Sequence, residues 1–227
     1  MTTKSKTKIT RILLVDDHAM VREGLAEALS RERDLKVCGE AADAAQALAL
    51  TASTRPHLAI VDLTLKNSHG LDLIKDLHAR HPEVLVLVLS MHDESLYAER
   101  VIRAGARGFM NKVEATHNLL SAIRRVLAGE IYMSETAARQ MVAKTVGHTQ
   151  PGQALPVTDQ LSDRELQIFQ LLGRGRSVQQ IGAELNLGLS TVETYRARLK
   201  EKLGAKDANE LLQHAIRWNE SQSGAGV

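Results

Sequence analysis

Short, continuous runs of apolar residues recur through the first half of the chain, with longer amphipathic stretches between them. The runs predict five strands, near residues 11–16, 35–40, 57–62, 84–90 and 107–111. Apolar runs of this length are typical of parallel strands that are buried on both faces of a sheet. After the first run, Val21, Leu25 and Leu29 recur at a helical spacing. The alternation of strand and helix therefore predicts an α/β doubly wound, five-stranded parallel sheet.

The other helices of this half are predicted at about 43–53, 70–80, 94–104 and 116–128. Gly105 stands where the fourth of the five helices should end, and glycine readily takes the left-handed conformation of a helix stop. A further short helix is predicted from Ser134 to Val146. After it, residues 147–156 hold two of the four prolines and two glycines, which indicates a flexible linker.

The chain after residue 160 has no strand pattern and instead predicts four helices. They begin near Ser162, Ser177, Ser190 and Asp207. Ser162 with Glu165 fits a capping box, and Ser190 with Glu193 fits a second one. A short turn containing Gly188 joins the second and third helices, which predicts a helix-turn-helix in an all-α domain.

These patterns divide the 227 residues into two domains, a number that suits the length of the chain. The predicted organisation is a disordered tail at 1–10, the α/β domain at 11–130, a helix and flexible linker at 131–160, the helical domain at 161–220 and a tail at 221–227.

The composition indicates the cellular location of the protein more clearly than its function. The net charge of +2 neither requires nor excludes a nucleic-acid partner. One cysteine, Cys38, rules out an intrachain disulfide and suits a reducing cytoplasm. No apolar stretch reaches the length of a membrane span, and no signal-peptide core follows the N-terminus. We therefore expect a cytoplasmic protein that does not contact a membrane.

Side chains able to do chemistry stand where the predicted strands end. Asp16 and Asp17 follow the first strand, Asp62 closes the third, Ser90 closes the fourth and Lys112 follows the fifth. Parallel strands present their carboxyl ends at one edge of the sheet, where open α/β sheets bind their ligands. Three carboxylates, a hydroxyl and an amine should therefore meet there, a set that suits a divalent cation and a phosphoryl group.

Each of these residues has an ordinary interpretation by itself, since an aspartate after a strand is usually a turn former or a helix cap. Their joint placement favours function. An aspartate can attack a phosphoryl group to give an acyl phosphate. A bound cation reduces the repulsion between the two anions, and an ammonium and a hydroxyl can bind the remaining oxygens.

These residues resemble the receiver domain of bacterial two-component response regulators, which has a flavodoxin-like fold, over residues 10–130. The matching features are Val15-Asp16-Asp17-His18, Asp62 followed by Gly70, Leu89-Ser90, and Gly105-Ala106 before Phe109 and Lys112. The family usually has a proline where this chain has Lys66.

The resemblance implies a role for each residue of the site. Asp62 is the phosphoacceptor, and Ser90 with Phe109 forms a switch pair next to Lys112. Mg²⁺ is bound by Asp17, by Asp62 and by the backbone carbonyl of Thr64, with Asp16 acting through water.

The C-terminal part resembles the LuxR-type helix-turn-helix of the NarL/FixJ subfamily, and this makes the helix at 190–203 the recognition helix. The matching stretches are 161–165, 180–185, 189–192 and 202–204. The resemblance assigns DNA contacts to Ser177, Ser190, Thr191, Glu193, Thr194, Ala197, Arg198 and Lys202, and dimer contacts to Leu211, Leu212 and Ala215. Glu193 has two possible roles, as the partner of the Ser190 cap, which we favour, or as a reader of base edges.

The function predicted from both resemblances is that of a DNA-binding response regulator. A sensor histidine kinase phosphorylates Asp62, and the protein dimerises on double-stranded DNA to regulate transcription. An aspartate-nucleophile phosphatase is disfavoured, because Asp16 and Asp17 are adjacent rather than separated by one residue. The remaining alternative is a phosphorylation-independent regulator or adaptor with an inert receiver, although such receivers typically lack one of the five residues.

Overall fold

Two units make up the chain, Met1–His148 and Thr149–Val227. The computed structural model describes residues 9–66, 68–145, 160–185 and 187–223. Most of the predicted linker, the first eight residues of the predicted N-terminal tail and the last four residues of the chain lie outside these ranges.

The first unit is built on a parallel sheet of five strands. Its strands are β1 (Thr10–Val15), β2 (Leu35–Ala41), β3 (Leu58–Val61), β6 (Leu85–Ser90) and β7 (Gly108–Asn111). They lie in the order β2-β1-β3-β6-β7, and every neighbouring pair is parallel. All four residues of the central strand β3 are buried, as the continuous apolar run predicts. The predicted five-stranded doubly wound sheet is confirmed.

Helices cover both faces of this sheet. They are α1 (Ala19–Ser30), α2 (Ala44–Thr54), α3 (Gly70–Arg80), α4 (Glu94–Arg103) and α5 (Ala115–Leu127), and a sixth helix, α6 (Glu135–Thr145), packs on α4. Leu25 and Leu29 of α1 join Ile123 of α5 in a core against one face of the sheet. On the other side α2 packs on β1 and β2, and α4 packs on β7. Gly105 follows α4 with a φ of +112°, as predicted for a left-handed helix stop.

A short hairpin lies between β3 and α3, which the sequence pattern did not predict. Its two strands are β4 (Thr64–Leu65) and β5 (Ser68–His69), and they pair antiparallel. The amide of Lys66, where the family usually has proline, donates a hydrogen bond to the carbonyl of Ala42 at 3.3 Å. Proline has no amide hydrogen to donate, so a proline at this position could not make this hydrogen bond between the loop and the end of β2.

The chain after α5 returns to the edge of the sheet. The amide of Tyr132 donates to the carbonyl of Arg107 at 2.9 Å, and the amide of Phe109 donates to the carbonyl of Tyr132 at 2.8 Å. Two residues further on, the amide of Ser134 donates to the carboxylate of Glu94 at 2.7 Å. The segment that begins α6 is therefore bound to both β7 and α4.

Four helices make up the described part of the second unit. They are α7 (Asp163–Gly173), α8 (Val178–Leu185), α9 (Leu189–Leu203) and α10 (Ala208–Ser223). The predicted capping box at the start of α7 is present, since Ser162 accepts from the amide of Glu165 and Glu165 accepts from the amide of Ser162. Ser177 and Gln180 make the same reciprocal exchange before α8, at 2.9 and 3.2 Å. The predicted helical domain is confirmed.

The second predicted capping box is wrong. Helix α9 begins at Leu189, with Gly188 as the N-cap residue and no side-chain capping bond. The amides of Thr191 and Val192 both donate to the carbonyl of Gly188, so the helical hydrogen bonds start two residues before Ser190. Ser190 therefore lies inside the first turn, and Glu193 is too far along the helix to serve as a capping partner.

The last helix is longer than predicted and its inner face is occupied. It runs to Ser223, past the end predicted for the helical domain at residue 220, and it packs on α7. Leu211 is 1% exposed and Ala215 is 0% exposed, so both lie in the core of the helical unit. Of the three residues to which the resemblance assigns dimer contacts, Leu212 keeps a partly exposed side chain.

Candidate functional site

The backbone ladder of the sheet continues past the strand ends and places the acidic residues. The amide of Asp16 donates to the carbonyl of Ala41 at 3.1 Å, and the amide of Asp62 donates to the carbonyl of Val15 at 2.8 Å. The amide of Lys112 donates to the carbonyl of Ser90 at 2.9 Å. The residues directly after β1, β3 and β7 are therefore all fixed at the carboxyl edge of the sheet, as expected for parallel strands.

Lys112 bridges two of the carboxylates. Its Nζ lies 2.6 Å from Asp16 Oδ2 and 2.8 Å from Asp62 Oδ2. The Asp16 and Asp62 side chains are each 4% exposed, and that of Lys112 is 13% exposed. Charged groups this deeply buried require charge partners, and here they supply one another.

The protonation equilibria of these groups follow from burial and from each other's charge. Burial raises the pKa of Asp62, and Lys112 and the Ser90 hydroxyl reduce this rise without cancelling it. Burial alone would lower the pKa of Lys112, but the charges of Asp62 and Asp16 outweigh that effect and the net pKa is raised. The ammonium is thus held in its charged form beside the carboxylates.

The acidic residues present ligand atoms suited to a divalent cation. One ligand atom from each of Asp16, Asp17, His18 and Asp62 lies within 4.8 Å of the others. Asp62 Oδ1 and Asp17 Oδ1 are buried, and neither has a hydrogen-bond partner. A buried carboxylate oxygen without a partner costs free energy, which a bound cation recovers. The residues therefore fit the hard cation that the resemblance implies.

The proposed switch pair is buried behind this site. Ser90 and Phe109 are both 0% exposed, on the neighbouring strands β6 and β7. The amide of His92 donates to Ser90 Oγ at 3.3 Å. Thr64, the residue that the resemblance makes a carbonyl ligand, places its hydroxyl 3.2 Å from His92 Nε2.

Three side chains around the site were given no role from the sequence. Tyr97 is 0% exposed and its ring lies 4.7 Å from the ring of His92. Arg22 donates to the backbone carbonyl of Asp16 at 2.5 Å and to Glu40 at 3.2 Å. His18 places Nδ1 2.8 Å from Asp17 Oδ1. Of the three, His18 had a visible signal, because it follows the aspartate pair directly.

Gly70 packs directly against the backbone of Asp62 and Leu63. A Cβ atom at this residue would lie 2.1 Å from the carbonyl oxygen of Asp62 and 2.7 Å from the Cα of Leu63. The Gly70 amide donates to the Leu63 carbonyl at 2.9 Å. Glycine is required here because the start of α3 passes in direct contact with the backbone that carries Asp62.

The face of α9 that should meet DNA is open. Ser190, Thr191, Glu193, Thr194, Ala197 and Arg198 are all exposed, as is Ser177 before α8. The Arg198 guanidinium lies 5.7 Å from the centre of the Tyr195 ring, and Glu193 accepts from Arg196 at 2.7 Å. Lys202 differs from the rest, because its Nζ lies 2.6 Å from the buried carboxylate of Glu165. Its ammonium is held by a partner inside the unit.

A parallel sheet with an acidic site at its carboxyl edge, joined to a helix-turn-helix unit, defines the class of DNA-binding response regulators. Residues 12–124 match the response regulator receiver domain family, and residues 159–215 match the luxR family of bacterial regulatory proteins. The chain belongs to the two-component response regulators of the NarL/FixJ family.

Curated relatives extend over nearly the whole chain. It is 34% identical to the response regulator GacA of Pseudomonas aeruginosa over 207 residues, which covers 91% of this chain and 95% of GacA. It is 32% identical to the response regulator UvrY of Escherichia coli K12, with 91% and 93% coverage.

Solved structures show the same fold. A LuxR-family response regulator from Aurantimonas is 34% identical, with a TM-score of 0.57 over 62% of this chain and all of that one. RcsB of Salmonella enterica, in a structure bound to the promoter rprA, has a TM-score of 0.60 at 23% identity, covering 92% of this chain and 99% of RcsB. In the part of this chain that the structure describes, no helix is long and apolar enough to cross a membrane.

Proposed function

We propose that Asp62 accepts a phosphoryl group from a cognate sensor histidine kinase in the cytoplasm, and that this controls dimerisation and transcription. The bond that forms joins an Asp62 carboxylate oxygen to phosphorus, and the bond that breaks joins phosphorus to the histidine nitrogen of the donor. The proposal rests foremost on one observation: Lys112 holds Asp62 Oδ2 while Asp62 Oδ1 remains buried without a hydrogen-bond partner.

The residues around Asp62 supply what the transfer requires. Asp17, Asp62 and the carbonyl of Thr64 would hold Mg²⁺, with Asp16 acting through water. Mg²⁺ bound there reduces the repulsion between the carboxylate and the incoming phosphoryl group. Lys112 and the Ser90 hydroxyl bind phosphoryl oxygens, and Phe109 follows the movement of Ser90. Both switch residues lie on strands that end at the site.

The helical unit would bind double-stranded DNA through α9. Its exposed face offers the small polar groups of Ser190, Thr191 and Thr194 beside the charge of Arg198. Ser177 would contact DNA from the start of α8, and Ala197 would meet base methyl groups. Glu193 does not cap α9 and is 55% exposed beside Arg196, so of its two predicted roles the one at the base edges remains. Lys202 contributes through its pairing with Glu165, which fixes α9 on α7.

A homodimer would form through the outer face of α10. Leu211 and Ala215 are in the core, so we now place the contact on Leu212 and on Ile216, which is 37% exposed one turn later. In one solved structure, two RcsB dimers are bound to two parallel DNAs. The domain limits that we propose remain 11–130 and 161–220, with the helix and linker between them.

The deciding experiment measures phosphorylation and assembly in the same samples. The full-length protein is incubated with a small phosphodonor and Mg²⁺, and we expect intact mass to increase by one phosphoryl group. Sedimentation should then show a larger dimer fraction. Asp62→Asn should remove both effects. Undiminished labelling of that variant would overturn the assignment, and a wild-type protein that dimerises without any labelling would favour the regulator with an inert receiver.

A further inference from the structure

His18 lies at the acidic site, and the proposed phosphoryl transfer gives its imidazole no role. It is the N-cap residue of α1, but its side chain makes no capping hydrogen bond. The ring faces the carboxylates instead, with Nδ1 2.8 Å from Asp17 Oδ1 and 3.2 Å from Asp16 Oδ1. The approach to Asp17 Oδ1 is close, yet this oxygen has no hydrogen-bond partner, so the two atoms are not in hydrogen-bonding geometry.

Lys112 and His18 contact different oxygens of the carboxylates. Lys112 contacts Oδ2 of Asp16 and Oδ2 of Asp62. His18 contacts the Oδ1 atoms of Asp16 and Asp17. Asp62 Oδ1 is buried without a hydrogen-bond partner, on a side chain that is 4% exposed. Asp16 Oδ1 accepts from the backbone amide of His18 at 2.9 Å and is hydrogen-bonded to the imidazole Nδ1 at 3.2 Å. The open ligand atoms for a cation are therefore Asp17 Oδ1 and Asp62 Oδ1, and the imidazole nitrogen lies beside the first of them.

We propose that His18 adds a nitrogen ligand to this site and shifts its preference from Mg²⁺ towards borderline divalent ions such as Mn²⁺, Co²⁺ and Zn²⁺. The ligand atoms of Asp16, Asp17, His18 and Asp62 lie within 4.8 Å of one another, close enough to share one ion. Mg²⁺ takes oxygen ligands almost exclusively, whereas imidazole raises the affinity for first-row transition ions and zinc.

The cation concerned is the one that assists phosphoryl transfer to Asp62, so the role of His18 in the reaction rests on the proposed function. Its ligands can be tested without that reaction. The imidazole is accessible, since the His18 side chain is 65% exposed, and its replacement removes no core packing.

The test is calorimetric titration of the full-length, unphosphorylated protein with Mg²⁺ alone and with Mn²⁺ alone. His18→Ala and His18→Gln should each weaken Mn²⁺ binding about tenfold or more and leave Mg²⁺ binding unchanged. His117→Ala, which removes an exposed histidine from α5, should change neither affinity. In pulsed electron paramagnetic resonance of bound Mn²⁺, the nitrogen modulation of a coordinated imidazole should be present in the wild type and absent in both His18 variants.

Equal affinities of the wild type and the His18 variants for Mn²⁺, or a spectrum without nitrogen modulation, would overturn the inference. If Asp62 is still labelled in that case, the proposed function stands without it. If instead the His18 variants lose Mn²⁺ selectivity while no donor labels Asp62, the metal site stands and the phosphorylation proposal fails.

Discussion

At the residue scale, Asp62 meets two opposing requirements. A carboxylate that is 4% exposed resists ionisation, whereas a nucleophile or a cation ligand has to be ionised. Burial accordingly raises the pKa of Asp62, and Lys112 limits the rise through its charge and its hydrogen bond. The lysine thus favours the charged form of a carboxylate that burial alone would disfavour.

The position of Asp62 also depends on a residue that has no side chain. In Gly70→Ala, the new Cβ would meet the Asp62 carbonyl oxygen at 2.1 Å and the Leu63 Cα at 2.7 Å, and both of these neighbouring atoms belong to the backbone. We expect the receiver unit to lose about 3 kcal/mol or more of stability, because overpacking against backbone cannot be relieved by side-chain movement. Denaturation followed by circular dichroism measures this loss, and labelling of Asp62 should fall with it.

Gly24→Ala is the matched control. Gly24 lies inside α1, and nothing stands within 4 Å of the Cβ that alanine would add. Alanine should stabilise this helix by about 0.5–1 kcal/mol relative to glycine. If Gly70→Ala were as stable as Gly24→Ala, close packing beneath Asp62 could not be the reason for the glycine.

At the element scale, helix positions were predictable and one helix start was not. Strand ends and helical faces follow from the alternation of apolar residues, so the edge carrying Asp16, Asp62 and Lys112 could be deduced from the sequence. The start of α9 could not be, because Ser190 and Glu193 match a capping box as well as Ser162 and Glu165 do. Gly188 takes an extended conformation and becomes the cap, a choice set by the tight turn rather than by the serine.

The pair of Glu165 and Lys202 joins the start of α7 to the end of α9, and its contribution should depend on pH. Burial would raise the pKa of Glu165, but hydrogen bonds from Lys202 and Ser162 outweigh it and the pKa is lowered from its ordinary 4.5. Because the folded pKa lies below the unfolded one, the stabilisation is complete above about pH 4.5 and is lost as the pH falls through the folded pKa.

Glu165→Gln should therefore destabilise the helical unit by about 1–3 kcal/mol at neutral pH, and the difference from wild type should shrink in acid. Trp218, the one tryptophan of the chain, lies 5.6 Å from the ring of Phe169, so its fluorescence reports unfolding of this unit. Glu201→Gln, at an exposed residue of α9, should have almost no effect. A constant difference between Glu165→Gln and wild type across the pH range would contradict the assignment.

The segment that leads to the linker is held by Phe109 of the proposed switch pair and by Glu94 at the start of α4. The amide of Phe109 donates a hydrogen bond to the carbonyl of Tyr132. The carboxylate of Glu94, four residues after Ser90, accepts a hydrogen bond from the amide of Ser134. Glu94→Ala should release the second bond, so amides near Ser134 should exchange hydrogen faster while labelling of Asp62 is unchanged. Glu94→Gln keeps an acceptor oxygen and should retain protection. Unaltered exchange in Glu94→Ala would show that the bond does not hold the segment.

At the scale of the whole molecule, the distribution of charge carries more information than its sum. The chain has a net charge of +2, yet residues 190–206 hold five basic and two acidic residues. The sequence therefore located the basic surface, but it could not tell which cations are free to reach phosphate. The structure separates them, since Lys202 pairs with Glu165 and Arg196 pairs with Glu193, whereas Arg198 is exposed above Tyr195.

Arg198→Ala should consequently weaken binding to every DNA sequence by a similar factor. A cation that contacts phosphate releases condensed counterions, so its loss should reduce the slope of log affinity against log salt concentration by about one. The measurement is fluorescence anisotropy with several double-stranded oligonucleotides of unrelated sequence over a range of salt concentrations. Arg217→Ala, which removes an exposed arginine from α10, is the control and should leave the slope unchanged. A loss of affinity for one sequence alone, at an unaltered slope, would instead place Arg198 at a base edge.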